Sequence, residues 1–221
     1  MVVIATKIYV RGNARDRALR SLTSLVDNLI GELAVETEIG IRHDEFPTVT
    51  VTGPDAPVAR AALAEEWGTI APPLEAGETY VGTLEQWDED GWEVDAGETV
   101  RIPPQGLDLG VGSPVQLVER FGLVQHQRLH FIAGSEPALA TETLDELYEW
   151  RRGGGRVNVN SATRAEVRAT INRAGHAADI VTIERLGLLE HSVIVRGGTD
   201  PPGLLASIGQ HLPGEMRCVI P

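Results

Sequence analysis

The densest chemistry in the sequence lies in Arg151-Arg152-Gly-Gly-Gly-Arg156-Val-Asn-Val-Asn160-Ser-Ala-Thr-Arg164-Ala-Glu-Val-Arg168-Ala-Thr-Ile-Asn172-Arg173. This stretch carries six arginines against one carboxylate, net +5, inside a chain of net −13, so the remaining residues together carry −18. Arginine presents a planar fork of donors that matches phosphate oxygens, and glycine lets a backbone come close to a phosphate. On a helix, Arg164, Arg168 and Asn172 recur every four residues and form one polar stripe. Arg151, Arg152, Arg156, Asn160, Arg164, Arg168, Asn172 and Arg173 are therefore the candidate nucleic-acid contacts. The same pattern also suits a solvated helix face whose arginines pair with acidic neighbours.

Trp87 and Trp92 flank the turn Asp88-Glu89-Asp90-Gly91. Aromatics on such a hairpin, with Phe121 nearby in sequence, serve either as stacking platforms for bases or as anchors for a protein partner. Glu85, Asp88, Glu89, Asp90, Glu93, Asp95 and Glu98 make this the most acidic part of the chain, a poor electrostatic host for RNA. Trp87 and Trp92 are accordingly assigned to a protein partner.

Signals for catalysis are weak. The histidines are His43, His126, His130, His176, His191 and His211, and only His126 with His130 has the spacing of a helical ligand pair, in a segment that reads as strand. No metalloprotease, phosphate-loop, dinucleotide or nucleophile-elbow motif occurs. Glu190-His191 with Asp179 and Asp200 has the residue types of an acid/base group, but lone histidines are usually structural. Asn158 to Glu166 is similar to the start of a helix-hairpin-helix module, yet the glycine hairpin that contacts phosphate does not follow, so the segment reads as helix capping. The expectation is no catalytic residue, no metal and no cofactor. The single cysteine, Cys218, excludes an internal disulfide and a cysteine zinc cluster.

The elements that position these groups follow from periodicity. Residues 2–10 are apolar and β-branched and predict a buried strand. A helix over 14–30 places Ala18, Leu22, Leu25, Val26 and Leu29 on one face, with Arg11, Arg15, Arg17 and Arg20 near its start. Strands at 33–41 and 47–53 and a helix at 56–67 complete a βαββα domain, 1–71. After Ala71-Pro72-Pro73, residues 78–132 change to short strands with glycine turns and a helix at 114–121; they are similar to an S1-type OB barrel. An acidic helix over 138–151 ends at three glycines and makes 138–152 a connector. Residues 155–221 predict βαββαβ: strand 156–160, a helix opened by the capping box of Thr163 and Glu166, strands 180–185 and 192–195, helix 202–212 and strand 216–220. The fold class is α+β, with ferredoxin-like units at both ends of a small OB-like barrel. Val49-Thr-Val-Thr-Gly53-Pro-Asp55 aligns with Val193-Ile-Val-Arg-Gly197-Gly-Thr-Asp200 as an internal repeat, although any strand-to-helix junction recruits Gly, Asp and Pro.

Composition sets the habitat. The chain has 221 residues, and Lys7 is its only lysine beside 18 arginines. Dense surface carboxylate with arginine in place of lysine fits a high-salt cytoplasm, where repulsion is screened over a few ångströms; high genomic GC content also favours arginine. A mean hydropathy of −0.07, no long apolar run and no signal-peptide flanks place the protein in the cytoplasm, away from membranes.

Arg42-His43-Asp44-Glu45-Phe46-Pro47, Phe121-Gly-Leu-Val-Gln-His126, Val157-Asn-Val-Asn-Ser-Ala-Thr163, and Leu186-Gly-Leu-Leu-Glu190 followed by Thr199-Asp-Pro-Pro-Gly-Leu-Leu205 resemble an uncharacterised archaeal protein family, in its haloarchaeal branch. The resemblance spans nearly the whole chain and transfers no activity. The expected function is a non-enzymatic RNA- or ribonucleoprotein-associated factor that meets phosphate through its arginine-rich segment. A second expectation is a regulatory module with a metabolite site at a ferredoxin-like dimer interface, Gly197 to Pro202 forming the ligand loop.

Overall fold

The chain opens with a strand much shorter than its β-branched residues predict. In the computed structural model, which describes residues 1–220, β1 is only Val2–Val3, so the strand expected over 2–10 is corrected. Ile4 adds one bridge to Thr69, and residues 5–8 then leave the ladder and run buried between other parts of the fold. An apolar run predicts burial, but burial does not require a ladder partner.

Helix α1 (Asn13–Ile30) buries Ala18, Leu22, Val26 and Ile30. Their strict four-residue spacing carries the buried stripe to Ile30, so Leu29, expected inside, is exposed. Strands β2 (Glu36–Ile41) and β3 (Pro47–Thr52) pair along their whole length, and α2 (Ala56–Trp67) follows. The sheet order is β1-β3-β2, antiparallel throughout, and Val49, Val51, Leu63 and Trp67 sit in its core with α1.

The middle of the chain forms β4 (Thr79–Asp88), β5 (Gly91–Asp95), β6 (Thr99–Ile102), α3 (Pro104–Leu107), α4 (Pro114–Phe121), β7 (Arg128–Ile132), β8 (Ala138–Leu139) and α5 (Thr141–Arg152). The antiparallel order is β6-β5-β4-β7-β8. Strand β4 is the spine: its first half pairs with β7 and its second half with β5. Gly91 is obligatory at the hairpin, with φ +137° and the Ile102 carbonyl oxygen 2.1 Å from where a Cβ would stand. Residues 138–139, expected to begin the acidic helix, instead close the sheet, and that helix starts at Thr141. Trp92 is fully buried and donates its indole N–H to the Pro114 carbonyl at 3.0 Å. Removing it opens a large cavity, so Trp92→Ala is expected to lower unfolding free energy by about 3 to 5 kcal/mol in urea titration; a loss below about 1 kcal/mol would contradict this placement.

The last unit comprises β9 (Arg156–Val159), α6 (Arg164–Arg173), β10 (Ile180–Arg185), β11 (His191–Val195), α7 (Pro201–Gly209) and β12 (Met216–Val219). Its sheet order is β10-β11-β9-β12, again antiparallel. The first unit repeats this arrangement: β2-β3-β1 matches β10-β11-β9, and Thr69, bridged to Ile4, takes the place of β12. The segments aligned as a repeat, β3 and β11, therefore hold equivalent positions. Mixed helices and antiparallel sheets, segregated along the chain, make the fold α+β.

The units share their cores through the β10–β11 connection. Leu186 packs into the central core, while Leu188 and Leu189 pack into the first. Gly187 between them lies against the buried Glu190 carboxylate, which a Cβ there would have to displace.

Candidate functional site

Helix α6 begins with the capping box expected from sequence: Thr163 Oγ1 accepts from the Glu166 amide, and the Glu166 carboxylate accepts from the Thr163 amide at 2.9 Å. The helix buries Val167, Thr170 and Ile171, which turns Arg164, Arg168 and Asn172 outward. Arg164 donates Nε–H to the Ile183 carbonyl at 2.9 Å, anchoring the guanidinium by one nitrogen and leaving its two terminal nitrogens to project. Arg168 forms no ion pair among the described residues.

Helix α1 supplies the opposite wall. Arg17, Arg20, Ser21, Ser24 and Leu25 face Thr163, Ala165, Glu166 and Ala169 across an open groove of about 570 Å³. The groove shares Ser21, Leu25 and Ala165 with a recess of about 340 Å³ that adds Arg164, Arg168, Arg185 and His191. Five guanidiniums from α1, α6 and β10 thus line one continuous surface against a single lining carboxylate, Glu166, which is held by Arg17 at 2.6 Å. Arg185 is steadied by Glu66 at 3.3 Å and by the face of Trp67. His191 lies sealed beneath the recess, its ring nitrogens without hydrogen-bond partners. Burial, with Arg185 and Arg164 nearby, pushes its pKa down to about 4, so the imidazole is neutral.

Beside the groove the three units meet at Tyr9. Its hydroxyl donates to Glu190 at 2.6 Å and accepts from the Ser161 amide at 2.9 Å, and its ring lies on His126 with centroids 3.8 Å apart. Glu190 is completely buried, and desolvation outweighs the hydrogen bonds from Tyr9 and the Leu189 amide, raising its pKa to about 8. The same burial and the neighbouring Glu190 raise the Tyr9 phenol. His126 reaches Glu85 at 3.3 Å. Lys7, 7% exposed at its side chain, lies 3.1 Å from Glu85 and 2.7 Å from Asp95. Burial opposes the charge on Glu85, but hydrogen bonds from His126 and Thr83 and the Lys7 charge win, bringing its pKa down to about 2. The arrangement ties domains together and offers no open reacting centre.

The arginine-rich segment separates into three parts. Arg151 and Arg152 end α5, the first bonded to the Ile220 carbonyl and the second over the Tyr148 ring. Arg156 and Asn160 turn inward. Arg156 stacks on Trp150 at 4.7 Å and donates to Ser192 at 3.1 Å, and Asn160 donates to the Gln125 carbonyl at 3.1 Å while accepting from the Glu215 amide. Both are buried and are not brought to the groove. Arg164 and Arg168 line it, while Asn172 and Arg173 are exposed at the far end of α6. Trp87 is half-buried under the Arg217 guanidinium, and Trp92, being wholly interior, presents no surface to a partner. Arg17, Arg20 and Arg185 were not assigned to a site from sequence, although the cluster of arginines at the start of α1 was its visible trace.

Among the described residues, no group of three His, Cys, Asp or Glu side chains is placed to hold a metal ion, and no helix is long and apolar enough to cross a membrane. No curated protein matches the chain. Family models match it almost from end to end: the DUF2110 N-terminal domain over residues 1–73, the central domain over 74–151 and the C-terminal domain over 154–220. The chain belongs to the DUF2110 family, a domain family of unknown function.

Proposed function

We propose that this protein is a non-enzymatic RNA- or ribonucleoprotein-associated factor of a haloarchaeal cytoplasm, holding the phosphate backbone in the groove between α1 and α6. One observation carries the reading: five arginines from two domains converge on one surface of a chain whose net charge is −13. Glu166 and Glu66 answer Arg17 and Arg185, but Arg20, Arg164 and Arg168 have no carboxylate partner among the described residues, and their mutual repulsion is what an anionic occupant would relieve. Serine, alanine, leucine and arginine line the groove, and the ring in the recess's lining, His191, is sealed beneath it and offers no stacking face. Recognition there is of backbone rather than of bases, since base platforms need aromatic faces.

Composition supports the habitat, with 18 arginines against one lysine. The strand order β10-β11-β9-β12 supports a ferredoxin-like C-terminal unit, and the glycine-turned central sheet supports an OB-like middle. That middle, with Trp87 at its surface, is the part suited to a protein partner.

The test is binding of the full chain to a fluorescent single-stranded RNA across a range of salt. Arg164→Glu with Arg168→Glu is expected to weaken binding by about a hundredfold or more and to flatten the dependence of log K on log salt by roughly two contacts' worth, with the thermal midpoint little changed. Both side chains are exposed and make no carboxylate contact; the bond lost is the one from Arg164 to the Ile183 carbonyl, so Arg168→Glu alone, which breaks none, is the control for the fold. Equal affinity in the double variant, or no RNA binding at the lowest salt at which the chain stays folded, would refute the proposal.

A further inference from the structure

A second basic recess lies on the other side of α1. Residues 8–11, the first turn of α1 and the turn at 41–45 enclose about 340 Å³ with predominantly polar walls, a volume at the lower end of small-molecule sites. Arg11, Arg15, Arg42 and His43 line it, with Tyr9 and Glu45. The turn is firmly built: Arg42 and Glu45 close it by a backbone hydrogen bond at 3.1 Å, and the Glu45 carbonyl accepts from the Ile8 amide at 2.9 Å. Asp44 holds the Arg42 guanidinium at 2.7 Å and fixes its direction. Arg11 and Arg15 are exposed and form no ion pair among the described residues. Arg15 and Arg17 stand about 200° apart around α1, so this recess and the α1–α6 groove draw on different side chains.

We infer that this recess is a separate binding site for a phosphomonoester dianion. Three guanidiniums from two stretches of chain, 8–15 and 41–45, approach one small volume, with Glu45 in its lining and Asp44 on Arg42. A phosphomonoester answers that geometry with three terminal oxygens and close to two negative charges, whereas a carboxylate engages a single fork and a backbone diester carries one charge. The polar walls provide no platform for a large apolar group. The ligand is thus recognised through its phosphate, whether that phosphate is free, on a nucleotide or at the end of a strand.

The experiment is calorimetric titration of the full chain, in chloride at fixed ionic strength, with inorganic phosphate, a nucleoside 5′-monophosphate, and one short RNA bearing either a 5′-phosphate or a 5′-hydroxyl. Saturable binding of at least one phosphorylated probe is expected. It should weaken about tenfold or more in the Arg11→Gln, Arg15→Gln double variant and again in Arg42→Gln. The Arg164→Glu, Arg168→Glu variant should bind inorganic phosphate and the mononucleotide unchanged. A preference for the 5′-phosphorylated RNA over both the mononucleotide and the 5′-hydroxyl RNA identifies a strand end; equal affinity for phosphate and mononucleotide identifies a small free ligand. Absence of saturable binding by every phosphorylated probe, or undiminished binding in the Arg11, Arg15 double variant, overturns the inference. Because the double variant changes only exposed side chains, unfolding is not a confounding outcome. Loss of 5′-hydroxyl RNA binding alone bears on the groove and leaves this site standing.

Discussion

Between pH 6.5 and 8 the protein is expected to lose roughly 2 kcal/mol of stability, and Glu190→Gln is expected to remove most of that loss. Glu190 has an unfolded value near 4.5 and a folded value near 8 because folding strips its carboxyl of water. Below pH 4.5 both states hold the proton and its contribution is complete. Above that, the unfolded chain releases the proton while the native state retains it, so folding becomes progressively less favourable until the native group also ionises near pH 8. His191 works in the opposite sense: its folded value near 4 against 6.5 unfolded means that stability is lost as pH falls between those values. The two neighbours offset one another from about pH 4.5 to 6.5, and only above 6.5 does the Glu190 slope stand alone. Urea midpoints at pH 6.5, 7.2 and 8 on both proteins measure it. A slope retained in Glu190→Gln would mean that another group carries the titration.

The second large effect concerns Lys7. Its ammonium is enclosed by Glu85 and Asp95, both from the central sheet, and by the Phe46 ring. Removing the cation from this cluster leaves Asp95 without its ionic partner and Glu85 with only Thr83 and His126, a cost of about 3 to 5 kcal/mol. Lys7→Ala should therefore lower the urea midpoint sharply. Lys7→Met, which restores the volume and not the charge, should recover only a minor share. Buried pairs are weakly screened, so the difference between wild type and Lys7→Ala should persist from low to molar salt, unlike any exposed arginine pair. Loss of less than about 1 kcal/mol, or a difference that salt erases, would show that solvent already reaches the cluster.

Much of the architecture was legible because its signals are local. The four-residue spacing of Ala18, Leu22 and Val26 revealed α1, and the Thr163–Glu166 pair marked the first turn of α6 to the residue. The alternation Val49-Thr-Val-Thr announced a one-sided strand. What failed was long-range. Residues 5–8 have the composition of a strand, but Ala5 and Ile8 donate to the Gly68 and Glu45 carbonyls while Thr6 meets Leu188 and Lys7 meets Glu85 and Asp95, so their partners are scattered along the chain and no single ladder gathers them. Trp92 occupies a turn-rich acidic stretch that suggests exposure, yet its side of β5 faces α4.

The site divides in the same way. Arg164 and Arg168 were legible because helical periodicity places them together on α6. Arg156 and Asn160 share their segment and composition, but alternation along β9 and the bend after it direct them inward toward Trp150 and Gln125. Arg17 and Arg20 join the groove across about 145 residues of sequence, and only packing of α1 beside α6 reveals it. Leu186 to Glu190 reads as a plain loop between strands. Its three leucines feed two foreign cores and its carboxyl meets Tyr9, so a connection that loop rules would treat as tolerant is among the least replaceable segments.

The burial of Lys7 also gives the protein an internal reporter. As the chain's only lysine side chain, it is the one ε-amine available to acylating reagents, and in the closed molecule it is sheathed by carboxylates and held protonated. Its acylation must await separation of the first unit from the central sheet, so the labelling rate, divided by that of a free lysine, gives the open fraction of this joint directly. Domain parting, ordinarily inferred from many overlapping signals, is here readable as the mass increment on the peptide that carries Lys7, apart from the one on the Met1 α-amine.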